Sequence, residues 1–214
     1  MTPDARRRWL VGTAGMLLTA RTADGSRVGL VETRLFRTVN GLPDSLYKPA
    51  WVLMQCGALG AAPVAAELAL LSGRPVTAVR VLAGGTGAWA LAKVVKRLVG
   101  RPRPAHVISG TCIRGREESG LGYPSGHTAV ATVLASALAD GGGGPHAVLA
   151  VGLVTAVAGA RMYVGAHLPL DVAGGAFLGV AVDGVVAGLA AWRTGCLPPQ
   201  PSLLRQVSCP SASD

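Results

Sequence analysis

The sequence predicts an all-α fold: an integral membrane helical bundle of five to six transmembrane or interfacial helices, four of which carry polar motifs at one end. Three observations predict it. Half of the 214 residues are hydrophobic and only 14% are charged, with a mean hydropathy of +0.44, a balance that suits a multi-span chain. Glycine is abundant, at 30 residues, as expected where membrane helices pack closely. The charged residues gather at the ends of apolar runs, where helix termini meet the membrane surface.

The chain divides into a basic N-terminal segment with a first helix (1–45), a membrane-embedded domain (46–193) and a Pro/Ser-rich tail (194–214) expected to be disordered. Trp9–Ala20 is apolar for 12 residues. That covers ~18 Å against a ~30 Å hydrocarbon core. It reads as a degenerate first span or an interfacial helix, since no small-x-small cleavage site follows. Glu32–Asn40 mixes charge with Leu35, Phe36 and Val39, an amphipathic helix lying on the surface, broken by Gly41-Leu42-Pro43-Asp44.

Trp51–Leu71 reads as the first convincing span, with a kink expected at Pro63. Ser72-Gly73-Arg74-Pro75 is a tight turn before Val76–Val95, whose Gly84, Gly85 and Gly87 offer a close-packing face. Residues 105–122 form the longest polar loop. Ser125–Asp140, Ala147–Ala160 and Leu168–Trp192 are the remaining helices, with a flexible turn at Gly141–Gly144 and Pro145 able to start the helix after it. Gly175-xxx-Gly179 and Gly184-xxx-Gly188 permit close approach along the last of these.

The formal net charge of +9 comes with only nine aromatic residues. Anionic lipid headgroups and a phosphorylated substrate are better partners for it than nucleic acid. The cysteines, Cys56, Cys112, Cys196 and Cys209, make no CxxC pair and no His-linked spacing, so no zinc site is expected. Cys56, inside an apolar run, reads as a small core residue. A disulfide among the other three stays open.

An up-down arrangement of the last four helices brings three motifs to one face. The first runs from Lys96 to Arg103-Pro104, the second is Pro124-Ser125-Gly126-His127, and the third runs from Arg161 through His167 to Asp171. Ser125 can cap its helix, leaving the Gly126, His127 and Thr128 amides as donors at a positive helix end, which favours an oxyanion. Gly126 lets a phosphate approach the backbone. Pro169 suits a first helical position, which puts Asp171 in the first turn, able to reach back to His167. A carboxylate on one imidazole nitrogen leaves the other free to attack. Lys96, Arg103 and Arg161 taken singly are ordinary flanking charges. Coincidence with two histidines lifts them to phosphate ligands. Arg101 reads as only a flanking charge.

These motifs resemble the type 2 phosphatidic acid phosphatase superfamily, which also includes vanadium haloperoxidases. Its pattern is Lys-x6-Arg-Pro, then Pro-Ser-Gly-His, then Ser-Arg-x5-His-x3-Asp. The chain matches throughout except at Ala160, where the family usually has Ser. The likeness covers about residues 50–192. It implies a membrane-embedded lipid phosphatase working through a phosphohistidine. In that scheme His167 attacks phosphorus, Asp171 holds it, and His127 protonates the leaving oxygen. Lys96, Arg103, Ser125, Gly126 and Arg161 bind phosphate. No metal and no cofactor is implied. Isoprenoid phosphates or diphosphates, isoprenoid-linked sugar phosphates, phosphatidate and phosphatidylglycerophosphate all fit as substrates. The alternatives are a vanadate-dependent haloperoxidase-like enzyme and a non-catalytic lipid-binding or transport bundle. The expected location is a multi-pass protein of the cell membrane with its site on the extracytoplasmic side. The sequence leaves oligomeric state open.

Overall fold

A computed structural model of the chain describes residues 1–23, 28–140 and 143–193. The expected disordered tail, Cys196, Cys209 and the first half of the Gly141–Gly144 turn lie outside these residues. Among the described residues the structure is all helical. Its main elements are α1 (Pro3–Ala23), α2 (Leu30–Asn40), α3 (Tyr47–Gln55), α4 (Ala61–Leu71), α5 (Pro75–Val99), α6 (Gly126–Ala139), α7 (Gly144–Tyr163) and α8 (Pro169–Arg193). Three stretches are long and apolar enough to cross a membrane: Pro75–Val107, Gly144–Tyr163 and Pro169–Trp192. Ala61–Leu71 and Gly126–Ala139 are apolar but shorter.

Helix α1 is longer than the apolar run inside it, because Arg6–Arg8 and Arg21 extend it at both ends. It lies antiparallel along α8, and the approach depends on glycine. A Cβ at Gly12 would stand 2.3 Å from the Ala181 nitrogen, and one at Gly184 would stand 2.5 Å from the Trp9 nitrogen. The same helix meets α6 through its other glycines: a Cβ at Gly175 would lie 2.4 Å from the Ser125 carbonyl oxygen, and one at Gly179 2.5 Å from that of Ala129. Both small-xxx-small spacings are therefore used, one pair against each neighbour. On α5, Gly84 faces Val133 and Gly85 faces Ala62 with no room for a methyl.

The expected span Trp51–Leu71 is not one helix. It breaks at Cys56–Gly60 into α3 and α4, through tight turns in which Cys56, Gly57 and Ala58 donate to the carbonyls of Leu53, Met54 and Gln55. Pro63 is not the breaker. It is the third residue of α4, where a missing N–H leaves no bond unmade. The break is placed by packing: a Cβ at Gly57 would stand 2.4 Å from the His127 carbonyl oxygen. Cys56, expected in the core, is exposed at this break.

Helices α5 and α7 end, and α6 and α8 begin, at the same end of the bundle. Helix α5 stops at Gly100, whose φ of 68° is left-handed and so favours glycine. Pro169 opens α8, as its position in the sequence predicts. The C-terminal half of α1 arrives at this end too, where Thr19 is 2.8 Å from the Tyr123 hydroxyl. At the opposite end Arg8 and Arg80 bracket Asp140 and the fully buried Asp183, tying α1, α5, α6 and α8 together.

Candidate active site

The second motif starts α6. Ser125 has extended backbone (φ −71°, ψ 113°) and caps the helix, its hydroxyl accepting from the Thr128 amide at 3.4 Å. Its own amide donates to the Asp171 carbonyl at 2.8 Å, which pins the start of α6 to the start of α8. A Cβ at Gly126 would meet only Ala92 and Trp89, at an ordinary contact distance of 3.8 Å.

The third motif bridges α7 and α8. Arg161 is in the last turn of α7, and the amides of Ala166 and His167 donate to its carbonyl, at 3.1 and 3.3 Å. That fold-back places His167, 2% exposed, beneath Arg161. Asp171 Oδ2 accepts from the Leu168 amide at 2.9 Å and stands 3.5 Å from His167 Nδ1. At that separation the pair is an electrostatic contact rather than a full hydrogen bond, and Nδ1 is otherwise unpartnered. Burial drives the His167 pKa well below its ordinary value, and the cations Lys96, Arg161 and Arg103 push the same way, against Glu118. The imidazole is therefore neutral at pH 7.

The first motif supplies cations from the end of α5. Lys96 Nζ donates to the carbonyls of Leu121 at 2.9 Å and Gly122 at 2.6 Å. Arg103 donates to the Ala166 carbonyl at 2.8 Å and pairs with Glu118 at 3.0 Å. Arg161 pairs with the other oxygen of Glu118. Half-buried His127, Arg103, Arg161 and Glu118 line one cavity of about 250 Å³, with Tyr47, Trp51 and Gln55 on its rim. Each residue expected from the sequence thus lies at this end of the bundle, but of them only Arg103, His127 and Arg161 line the cavity; Lys96, Ser125, Gly126, His167 and Asp171 stand behind its wall.

Four further residues take part. Arg101 was expected to be a flanking charge; it is 2% exposed and sits at the centre of the charge network. Its Nη1 donates both to Asp171 Oδ1 at 2.9 Å and to Glu32 Oε1 at 3.0 Å, and its Nη2 to Glu32 Oε2 at 2.7 Å. Glu32 also accepts from the Leu170 amide at 2.9 Å. Helix α2 is consequently part of the site's support. Asn40, at its end, holds the Cys112 amide and the carbonyls of Cys112 and Tyr163, all within 2.9 Å. Glu118 is the fourth. One signal in the sequence reaches two of the four: Glu32, Phe36 and Asn40 are spaced i, i+4, i+8, so the face that buries Phe36 buries both polar residues.

The fold and site define a class: an all-helical membrane bundle with two histidines, three cations and a carboxylate at shared helix ends. Residues 77–194 match the PAP2 superfamily, and the chain belongs to that family. Among curated proteins it is similar to decaprenylphosphoryl-5-phosphoribose phosphatase of Mycobacterium tuberculosis, 36% identical over 115 residues, which cover 52% of this chain and 62% of that one. The Mycolicibacterium smegmatis protein of the same name is 38% identical over 97 residues, 44% of this chain and 51% of the relative. The chain thus matches between half and two thirds of the length of these relatives. Two crystal structures share the fold. One is a transmembrane PAP2-type phosphatidylglycerolphosphate phosphatase from Bacillus subtilis, with a TM-score of 0.68, 20% identity, and 85% of this chain and 95% of that chain covered. The other is Aquifex aeolicus LpxE, with a TM-score of 0.63, 22% identity, and 72% and 93% covered.

Proposed function

We propose that the protein is a membrane-embedded phosphatase that removes a terminal phosphate from an isoprenoid-linked sugar phosphate through a phosphohistidine on His167, with its site on the extracytoplasmic side. The observation that carries this reading is a polar cavity and an apolar groove that share Gln55 as a lining residue. The polar cavity is lined by His127, Arg103 and Arg161, and on the other side of Gln55 an apolar groove of about 880 Å³ runs between α4, α5, α6 and α7. Val64, Leu68, Val81, Leu134 and Leu153 line the groove, which suits a hydrocarbon chain. Tyr47 and Trp51 on the cavity rim offer flat apolar faces to a sugar ring. The names of the mycobacterial relatives support the same substrate class.

The chemistry follows from the proton positions. With Asp171 beside Nδ1, the proton of neutral His167 stays on that nitrogen and the lone pair is left on Nε2. Nε2 attacks phosphorus and the ester P–O bond breaks opposite to it. Burial and Arg161 lower the His127 pKa to about 4 in the free protein; the imidazole takes up a proton as the phosphate dianion binds beside it and gives that proton to the leaving oxygen. In the second step a water loses a proton to His127, its oxygen attacks phosphorus, and the P–N bond breaks to free phosphate and neutral His167. Lys96, Arg103, Arg161, the Ser125 hydroxyl and the Gly126 amide offset the charge on the transferring group.

The test is a quenched reaction with radiolabelled substrate. It should trap acid-labile phosphate on His167, and His167→Ala should abolish both the label and phosphate release. Label on any other residue would remove the nucleophile assignment. A turnover panel should rank decaprenylphosphoryl-5-phosphoribose above phosphatidate and phosphatidylglycerophosphate; the reverse order would overturn the substrate class.

A further inference from the structure

Glu118 occupies the position in which the two clamp arginines would meet a phosphate. Its carboxylate bridges Arg103 and Arg161, one oxygen to each. Both arginines are buried, yet each keeps a donor it does not use: Arg103 Nε and Arg161 Nε have no partner. A planar carboxylate offers two oxygens, whereas a phosphate monoester offers three around a tetrahedron. The clamp therefore holds more donors than its present occupant can satisfy. Burial by itself would raise the Glu118 pKa, but Arg161 and Arg103 hold it down at about 2, so the occupant is an anion throughout the neutral range.

The charges at this end of the bundle support the same conclusion. Lys96, Arg101, Arg103 and Arg161 face Glu32, Glu118 and Asp171. Withdrawing Glu118 leaves two positive charges uncompensated, which a dianion matches and a monoanion does not. Withdrawal is open to this segment. Glu118 lies between Gly115 and Gly120, both left-handed, and a Cβ at Gly120 would touch nothing within 4 Å.

We propose that Glu118 is a specificity-determining residue: an internal carboxylate ligand that keeps the Arg103–Arg161 clamp closed until a dianionic phosphate displaces it, favouring terminal monoesters over phosphodiesters. This rests on the reading that the two arginines bind the substrate's phosphate. The experiment keeps the two claims apart by measuring binding without turnover. Inorganic phosphate is titrated calorimetrically into the purified full-length protein and its Glu118→Asp and Glu118→Gln variants, each checked for folding by thermal unfolding. Phosphate should bind Glu118→Gln about tenfold or more tighter than wild type, the equivalent of one charge-assisted hydrogen bond no longer competed for. Glu118→Asp, too short to reach both arginines, should fall between. In turnover, Glu118→Gln should lower KM for p-nitrophenyl phosphate and narrow its preference over bis-p-nitrophenyl phosphate. Equal phosphate affinity in all three proteins overturns the proposal. Phosphate binding by none of them overturns the underlying reading of the clamp, and the proposal with it.

Discussion

Replacing Arg101 with lysine separates the support of the nucleophile from the binding of phosphate. Arg101 touches no part of the cavity lining. Its fork of bonds holds Glu32, and Nη1, one prong of that fork, also donates to Asp171 Oδ1 at 2.9 Å. A lysine at this position presents one compact ammonium, which cannot span a carboxylate on α2 and another on α8 at once. The bond to Asp171 is the one at risk, because the Glu32 fork supplies two of the three contacts. A hydrogen bond to a charged group is worth about 1.5–3 kcal/mol. At 1.36 kcal/mol per decade that is roughly 10- to 150-fold in rate, if the loss falls on the transition state. Rapid-quench measurement of phosphohistidine formation is the assay, since it isolates the step in which His167 gains positive charge beside Asp171. The first-order rate should fall within that range while KM changes less than about threefold, the pattern of an interaction made chiefly in the transition state. A KM increase with an unchanged phosphorylation rate would place Arg101 on the substrate and refute the reasoning.

Gly175→Val should cut kcat/KM by about tenfold or more and cost about 1–3 kcal/mol of stability, because the new Cβ would press on the Ser125 carbonyl from 2.4 Å; unchanged kinetics would show that the cap position is not fixed by α8. Arg80→Met should lower stability by about 3–5 kcal/mol with kcat within about twofold, since it strips a partner from fully buried Asp183 at the end remote from the cavity; equal loss of kcat in the folded variant would contradict that separation. Because burial and three cations depress the His167 pKa, its unprotonated form persists on the acid side, and the acid limb of kcat/KM should fall below 6.5; a limb above that value would mean a cationic resting imidazole. Cys112 is exposed in the loop beside the site, so in a chain whose other cysteines are replaced it should react with an impermeant maleimide in whole cells, and protection until lysis would put the site on the cytoplasmic face.

The sequence carried the site's chemistry further than it carried the helices. Lys96, Arg103, His127, Arg161, His167 and Asp171 stand within four residues of a proline or glycine at the ends of apolar runs, so local rules on helix termini are enough to collect them at one end. The break in the expected Trp51–Leu71 span is a tertiary effect. No breaker residue stands there beyond Gly57 and Gly60, and the turn is dictated by the His127 carbonyl of a helix seventy residues away. Arg101 was read as a flanking charge, and Arg103 as a phosphate ligand, without any local sign of what Arg101 supports. Both precede a proline in the same short segment, and only the position of Glu32, brought in by α2, makes one a support for Asp171 and leaves the other for the cavity. Cys56 was misplaced because an apolar run reads as core, whereas here part of that run lines a groove that protein does not fill.

The two charge clusters at opposite ends of the bundle differ in a way that assigns them different jobs. At the far end Arg8 and Arg80 meet Asp140 and Asp183, two of each sign, with every carboxylate shared by both arginines. Such a closed set has nothing left to bind, and what it does is lock four helices in register. The near end is built from the same residue types but is left open. Its arginines keep unused Nε donors, its cations outnumber its carboxylates, and one carboxylate arrives on a glycine-flanked loop instead of a helix. A bundle stabilised only by packing and pairing has no use for that imbalance, because a buried donor without a partner costs about 1–3 kcal/mol. The imbalance is tolerated where an anion comes and goes, and helix α8, with Asp171 at one cluster and Asp183 at the other, is the element that holds the open end rigid against the closed one.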